Sequence, residues 1–223
     1  MLAFFIVTAM AAAQAFTKDQ LLGKITPAKD TNFILISAKY TDKKNIYLNK
    51  EAYQAFEKMA AAAAKEGIQI KIISATRTFD AQKTIWEKKW VRADYVKFPE
   101  EQRVKEIMKY SSMPGTSRHH WGTDIDINSL ENSYFDKAEG KKLYDWMVKN
   151  AAQFGFYQTY TSKKDGRTGY EEEKWHWSYM PIAGPMLTEY QKMITYSDIS
   201  GFSGSQFAAF NKVIEEYVLG ILK

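Results

Sequence analysis

Apolar residues recur at helical spacing after Asn49. Tyr53, Phe56, Met59, Ala60 and Ala63 share one face until Gly67, so a helix capped by Asn49 and starting at Lys50 is expected. Ile68, Ile70 and Ile72 then alternate, which predicts a strand to about Ser74. Further helices are expected over 79–95 and 99–111, the second opened by Pro99 in its first turn with Glu100 and Glu101 behind it. Alternation returns from Thr123 to Asn128, and a helix over 137–154 stops at Gly155. A short strand at 156–160, a turn at 163–166, an extended aromatic segment over 173–179 and helices near 185–196 and 205–221 complete the pattern. Helices interspersed with short strands predict an α+β fold, a small and mostly antiparallel sheet with packed helices.

Residues 1–15 fall outside this pattern. They carry no charge, run apolar from Leu2 to Ala13 and end in Ala13-Gln14-Ala15, an A-x-A cleavage signature, so a signal peptide is expected there. The apolar run is too short for a bilayer, which needs ~20 residues. A periplasmic or secreted protein with no membrane span after processing is therefore expected. No repeat, low-complexity tract or Pro/Gly-rich linker divides 16–223, which reads as a single domain with a C-terminal helical extension over about 185–223.

Composition narrows the chemistry. The chain has no cysteine and three histidines, His119, His120 and His176, which excludes thiol nucleophiles, disulfides and thiolate metal sites. Any metal must be held by imidazole, carboxylate, carbonyl or water. The net charge of +5 suits an anionic surface, but no basic cluster reaches the density of a nucleic-acid footprint.

Two of the three informative segments contain all the histidines. In Ser117-Arg118-His119-His120-Trp121-Gly122-Thr123-Asp124-Ile125-Asp126, a strand over 123–128 points Asp124 and Asp126 to one face, and a turn at Gly122 can fold His119 toward it. In Glu171-Glu172-Glu173-Lys174-Trp175-His176-Trp177, Glu173 stands three residues before a histidine. A carboxylate there can take a proton from an attacking water and return it to a leaving amine; the alternative is a solvated charge run. The third segment places Arg77 at a strand end with Gln82 five residues on, suited to a carboxylate or an oxyanion, or to a surface ion pair.

Taken in order, Arg77 with Gln82, Ser-x-His-x6-Asp at 117–126, and Glu-x-x-His at 173–176 followed by Tyr179 resemble the VanY-type zinc D-alanyl-D-alanine carboxypeptidases. These share a fold with the D,D-dipeptidases and the Hedgehog signalling domain. The resemblance runs from roughly Ile68 to Tyr179. It implies that His119, Asp126 and His176 bind zinc, that Glu173 is the catalytic base, and that Arg77 anchors or polarises the substrate, with Ser117 and Gln82 as lesser contacts. Asp124 departs from the pattern, which has a small apolar residue there; it either competes as a ligand or acts on a ligating histidine. His120 is expected to be a bystander.

The implied activity is hydrolysis of the D-Ala-terminal bond of peptidoglycan stem peptides. Alternatives are an L,D-carboxypeptidase, a D,D-dipeptidase, a cross-link endopeptidase, or a non-catalytic zinc-stabilised wall-binding module. Glu173 discriminates against the last, which needs no base. Helices 79–95 and 99–111, with aromatic and basic residues from Trp86 to Lys97, are candidates for the cleft wall that sets specificity.

Overall fold

Asn49 does cap the first long helix, its Oδ1 accepting from the backbone N–H groups of Glu51 and Ala52 at 2.9 and 3.4 Å. The computed structural model describes residues 16–221; the expected signal peptide at 1–15 lies outside the described residues. Helices are α1 (Lys18–Leu21), α2 (Lys50–Lys65), α3 (Phe79–Trp90), α4 (Ala93–Val96), α5 (Glu100–Ile107), α6 (Ala138–Asn150) and α7 (Met180–Met193). Strands are β1 (Phe33–Leu35), β2 (Tyr47–Asn49), β3 (Ile72–Ser74), β4 (Asp124–Ile127), β5 (Phe156–Gln158) and β6 (His176–Tyr179). β1 and β2 form an antiparallel hairpin, and the main sheet has the order β3-β4-β6-β5 with every pairing antiparallel. This is an α+β fold, as the pattern predicted.

The elements are shorter than expected, for local reasons. Ile68, Ile70 and Ile72 are all buried, but before Ile72 the chain pairs with one residue: Asn128 receives the Lys71 N–H on its Oδ1 and donates its Nδ2 to Gln69. The expected helix 79–95 is broken between α3 and α4 around Val91 and Arg92, and the helix expected over 99–111 ends at Ile107. The helix expected over 137–154 is α-helical to Asn150 and closes through a 3-10 turn onto Gly155, whose φ is +79°.

The C-terminal expectation needs correcting. α7 begins at Met180, with Pro181 in its first turn and Pro185 inside it. No α-helix spans 205–221: a 3-10 turn at Ser205–Phe207 and a π-type turn at Val213–Val218 occupy that stretch. Two features explain the departure. Lys212 has a left-handed φ of +48°, and the Glu216 carbonyl accepts from Thr168 Oγ1 at 2.9 Å, an alternative partner to the helical ladder. Ile199, Phe202, Val213, Ile214 and Val218 join the same buried cluster as Phe56, Trp86, Ile125, Ile127 and Met147, so this segment helps form the core.

All four residues of β4 are buried. Period-two alternation sends Ile125 and Ile127 into the apolar cluster and leaves Asp124 and Asp126 on the opposite face, where the site is built.

Candidate metal centre and cleft

Sheet register assembles the centre. Asp126 lies opposite Ser74 on β3 and opposite His176 on β6, and Asp124 lies opposite Ser178. Opposed residues share a face, so two of the three candidate ligands are neighbours by strand pairing. His119 arrives from a 3-10 turn (Arg118–Trp121) closed by Gly122 at φ +70°, the turn expected from the sequence. Ligand atoms of His119, Asp126 and His176 lie within 4.8 Å of one another. Glu173 joins them through a tight turn in which the His176 N–H donates to the Glu173 carbonyl, leaving Glu173 Oε2 at 3.6 Å from His176 Nδ1.

The nitrogen assignments follow from the second partner of each ring. His119 donates from Nδ1 to the Ala75 carbonyl at 2.8 Å, so its Nε2 carries a lone pair; that atom is buried without a hydrogen-bond partner. It faces Asp126 Oδ2 at 3.3 Å. Burial, reinforced by the charge of Arg77, holds His119 below its usual pKa and therefore neutral. Two acceptors facing each other inside the protein repel unless a cation lies between them. The residues thus fit a divalent metal, and two imidazoles with one carboxylate match the donors zinc takes when a coordination position is left open.

His176 presents Nδ1 to the same point, 3.1 Å from Asp126 Oδ1, while Nε2 donates to Asp124 Oδ2 at 2.8 Å. Burial opposes charge on this ring, but its hydrogen bonds to Asp124 and Asp126 carry its pKa up to about 9 in the absence of a metal. Asp124 is fully enclosed. Its Oδ2 also receives Arg118 Nε at 3.0 Å, and its Oδ1 receives Thr123 and Ser178 hydroxyls at 2.7 and 2.8 Å. Burial opposes its ionisation; Arg118 and His176 nevertheless keep it well below the usual carboxylate range. With four donors around it, Asp124 orients His176 rather than offering itself as a ligand. Glu173 is different: burial dominates and pushes its pKa up to about 7, within the range where a carboxyl both accepts and releases a proton.

The centre opens into a cavity of about 680 Å³. Arg77 lines it and donates from Nη1 to Gln82 Oε1 at 3.0 Å, and Gln82 is anchored by its own Nε2 on the Ser112 carbonyl at 2.7 Å. Gln82 is completely buried and absent from the cavity wall, so it positions Arg77 instead of reaching a ligand there. Ser117 is 1% exposed and also absent from the wall; its Oγ is buried without a partner. His120 stays out of the ligand cluster, as expected, and supports it from behind. Its Nδ1 donates to the Arg77 carbonyl at 2.6 Å and its Nε2 accepts from the Gly115 N–H at 3.0 Å, which pins the Arg77 segment from behind.

Residues not anticipated from the sequence include Arg118, which is 1% exposed, and Tyr160, whose ring centroid is 4.5 Å from that of His176. Tyr170 and Trp175 also line the cavity, as does Lys89, which lies in the stretch expected to wall the cleft. A buried arginine between Ser117 and His119 had one available signal, the aspartate six residues on; the aromatics reach the cavity only through tertiary packing.

The antiparallel sheet and its His-Asp-His cluster define an α+β fold of the Hedgehog/D,D-peptidase type with a candidate metal centre. The model of the VanY family, D-alanyl-D-alanine carboxypeptidase, matches residues 45–182, more than half of the chain, and the protein belongs to that family. It is 34% identical over 140 residues to the putative carboxypeptidase YodJ of Bacillus subtilis (strain 168), covering 60% of this chain and 46% of that one. The chain thus spans less than half the length of that relative. Among solved structures, a mutant of the vancomycin resistance D,D-pentapeptidase VanY in complex with Zn(II) matches with a TM-score of 0.55 at 22% identity, over 81% of this chain and 92% of the other. The LdcB LD-carboxypeptidase matches with a TM-score of 0.56 at 23% identity, over 74% and 79%. These two likenesses establish the shared fold.

Proposed function

We propose that the protein is a zinc-dependent D,D-carboxypeptidase that hydrolyses the D-Ala-terminal peptide bond of peptidoglycan stem peptides in the cell envelope. The observation that carries this reading is the buried, unpartnered His119 Nε2 converging with His176 Nδ1 and Asp126, with Glu173 beside them at the floor of an open cavity. His119, Asp126 and His176 are the proposed zinc ligands. When bound, zinc polarises the scissile carbonyl and acidifies water.

The remaining chemistry belongs to the chain. Glu173 takes the proton of the attacking water and delivers it to the departing amine; a carboxyl raised to about 7 suits both transfers. Arg77, preset by Gln82 and by His120, offers a guanidinium to the substrate carboxylate or to the developing oxyanion. Asp124 and Arg118 hold His176 in the tautomer that presents Nδ1. The role of Ser117 in substrate contact requires its hydroxyl to turn toward the cleft.

The reading is tested on purified protein by metal analysis and by mass spectrometry of treated muropeptides. About one zinc per chain and loss of a single alanine from pentapeptide stems are expected. Loss of a dipeptide, or of a cross-link, would reassign the specificity, and no hydrolysis by zinc-replete protein would refute the enzyme.

A further inference from the structure

Lys89 is a half-buried cation that the chemistry above does not use. It occupies the last turn of α3 beside Lys88, and Lys88 is exposed. Either lysine satisfies the negative end of the helix, so the helix end alone does not account for Lys89 turning inward. Its burial is unfavourable: together with the charges of Arg92 and Arg77 it lowers the lysine's pKa, while Glu173 acts in the opposite direction. Among the described residues it makes no ion pair. It lines the same cavity as Arg77 and Glu173, four residues beyond Ile85, which lines it too. A half-buried ammonium without a counter-ion is partly desolvated, and in a cleft open to solvent the missing counter-ion has a place to bind.

The acids of the cavity do not serve. Asp126 faces His119 and His176, Glu173 lies against His176, and Glu131, the third acid on the wall, forms no ion pair with Lys89 and is not among the charges that act on it. Of the three cations on the cavity wall, Lys43, Arg77 and Lys89, the last two flank one helix, Arg77 two residues before α3 and Lys89 in its last turn. At ~1.5 Å rise per residue the backbones of Phe79 and Lys89 are ~15 Å apart, a span an extended peptide of ~3.3 Å per residue covers in about four or five residues. The flexible lysine side chain shortens this distance.

We propose that Lys89 is a specificity-determining carboxylate subsite: the preferred substrate carries a second carboxylate, a few residues before the terminal one. This rests on the peptidase reading, and its test separates the two. Two peptides ending in D-Ala-D-Ala, identical except that an acidic side chain upstream is free in one and amidated in the other, are titrated calorimetrically into zinc-loaded Glu173→Gln protein. They are also offered as competing substrates to the wild-type active-site background. The free-carboxylate peptide is expected to bind about tenfold more tightly, as one charge-assisted contact allows. Lys89→Gln should bring the ratio of the two affinities to near one, Lys89→Glu should invert it, and Lys89→Arg should retain it. Raising the salt concentration should compress the ratio in the parent protein. Equal binding of the two peptides, or a preference that survives Lys89→Gln and Lys89→Glu, overturns the subsite even if both peptides are hydrolysed. A Lys89-dependent preference without hydrolysis by the wild type overturns the peptidase reading and leaves the subsite standing.

Discussion

Glu173 and Asp124 are both buried acids within reach of His176, yet their surroundings assign them opposite work. Asp124 is saturated by Arg118, His176, Thr123 and Ser178 and stays ionised; Glu173 has burial as its main influence and titrates near neutrality. Glu173→Gln should therefore lower kcat by roughly 10²–10⁴-fold with zinc content unchanged, checked by steady-state kinetics alongside metal analysis. Asp124→Ala should weaken zinc binding about 10–100-fold, measured by chelator competition, because His176 loses the acceptor that fixes its ring. The same substitution strands Arg118 as a buried charge, with a stability loss on the order of 3–5 kcal/mol by denaturant titration.

The metal-free centre also has a defined response to pH. His176 moves from an ordinary 6.5 to about 9, so the folded state holds a proton that the unfolded chain releases. That contribution is complete below 6.5 and is lost as pH rises toward 9; Glu173, raised from 4.5 to about 7, acts with the same sign over its own range. Chelated protein should lose stability on the order of a few kcal/mol between pH 6.5 and 9. Zinc-loaded protein should show a much smaller decline, because the ligand must already be neutral. Chemical denaturation with and without chelator at matched pH values measures the difference.

At the scale of elements, the turn that delivers His119 depends on Gly122. Its φ of +70° suits glycine, and a Cβ there would collide with the ring of Phe33. Gly122→Ala should cost about 2 kcal/mol or more and lower zinc affinity with it, read as a fall in Tm and a weaker chelator competition. Helix α3 carries a second dependency. Trp86 is fully buried, donates from Nε1 to the Ser203 carbonyl at 2.7 Å and packs edge-on to Phe202, so the C-terminal segment braces the helix bearing Gln82 and Lys89.

The elements also show what the chain makes legible. The β4 pair and the Glu-x-x-His turn are local: strand alternation and a three-residue spacing put the chemistry on one face, and three histidines left few combinations. Element type was readable where a cap or alternation was present, as at Asn49 and at Asp124–Ile127. Residues 213–218 were not, because an apolar pattern of helical period says nothing of Thr168 capturing the Glu216 carbonyl from a distant loop. Ser117, Gln82 and His120 illustrate the same limit within the site. Spacing placed them near Arg77 and His119, but only packing separates a residue that lines the cleft from one that holds the lining in place.

Across the whole molecule, the candidate ligands come from two places in the chain separated by some fifty residues and joined through the sheet and side-chain contacts such as Arg118 with Ser178. A metal that binds the folded state and not the unfolded one stabilises by mass action, so removing it should lower Tm by several degrees and re-addition should restore it, as calorimetry would show. None of the helices in the described residues is long and apolar enough to cross a membrane. The most direct measurement of the central claim is mass spectrometry of a D-Ala-D-Ala-terminated stem pentapeptide incubated with zinc-loaded wild-type protein, with Glu173→Gln protein in parallel. The account predicts release of one alanine by the wild type and almost none by the variant; an unchanged pentapeptide with the wild type, or equal release by the variant, would contradict it.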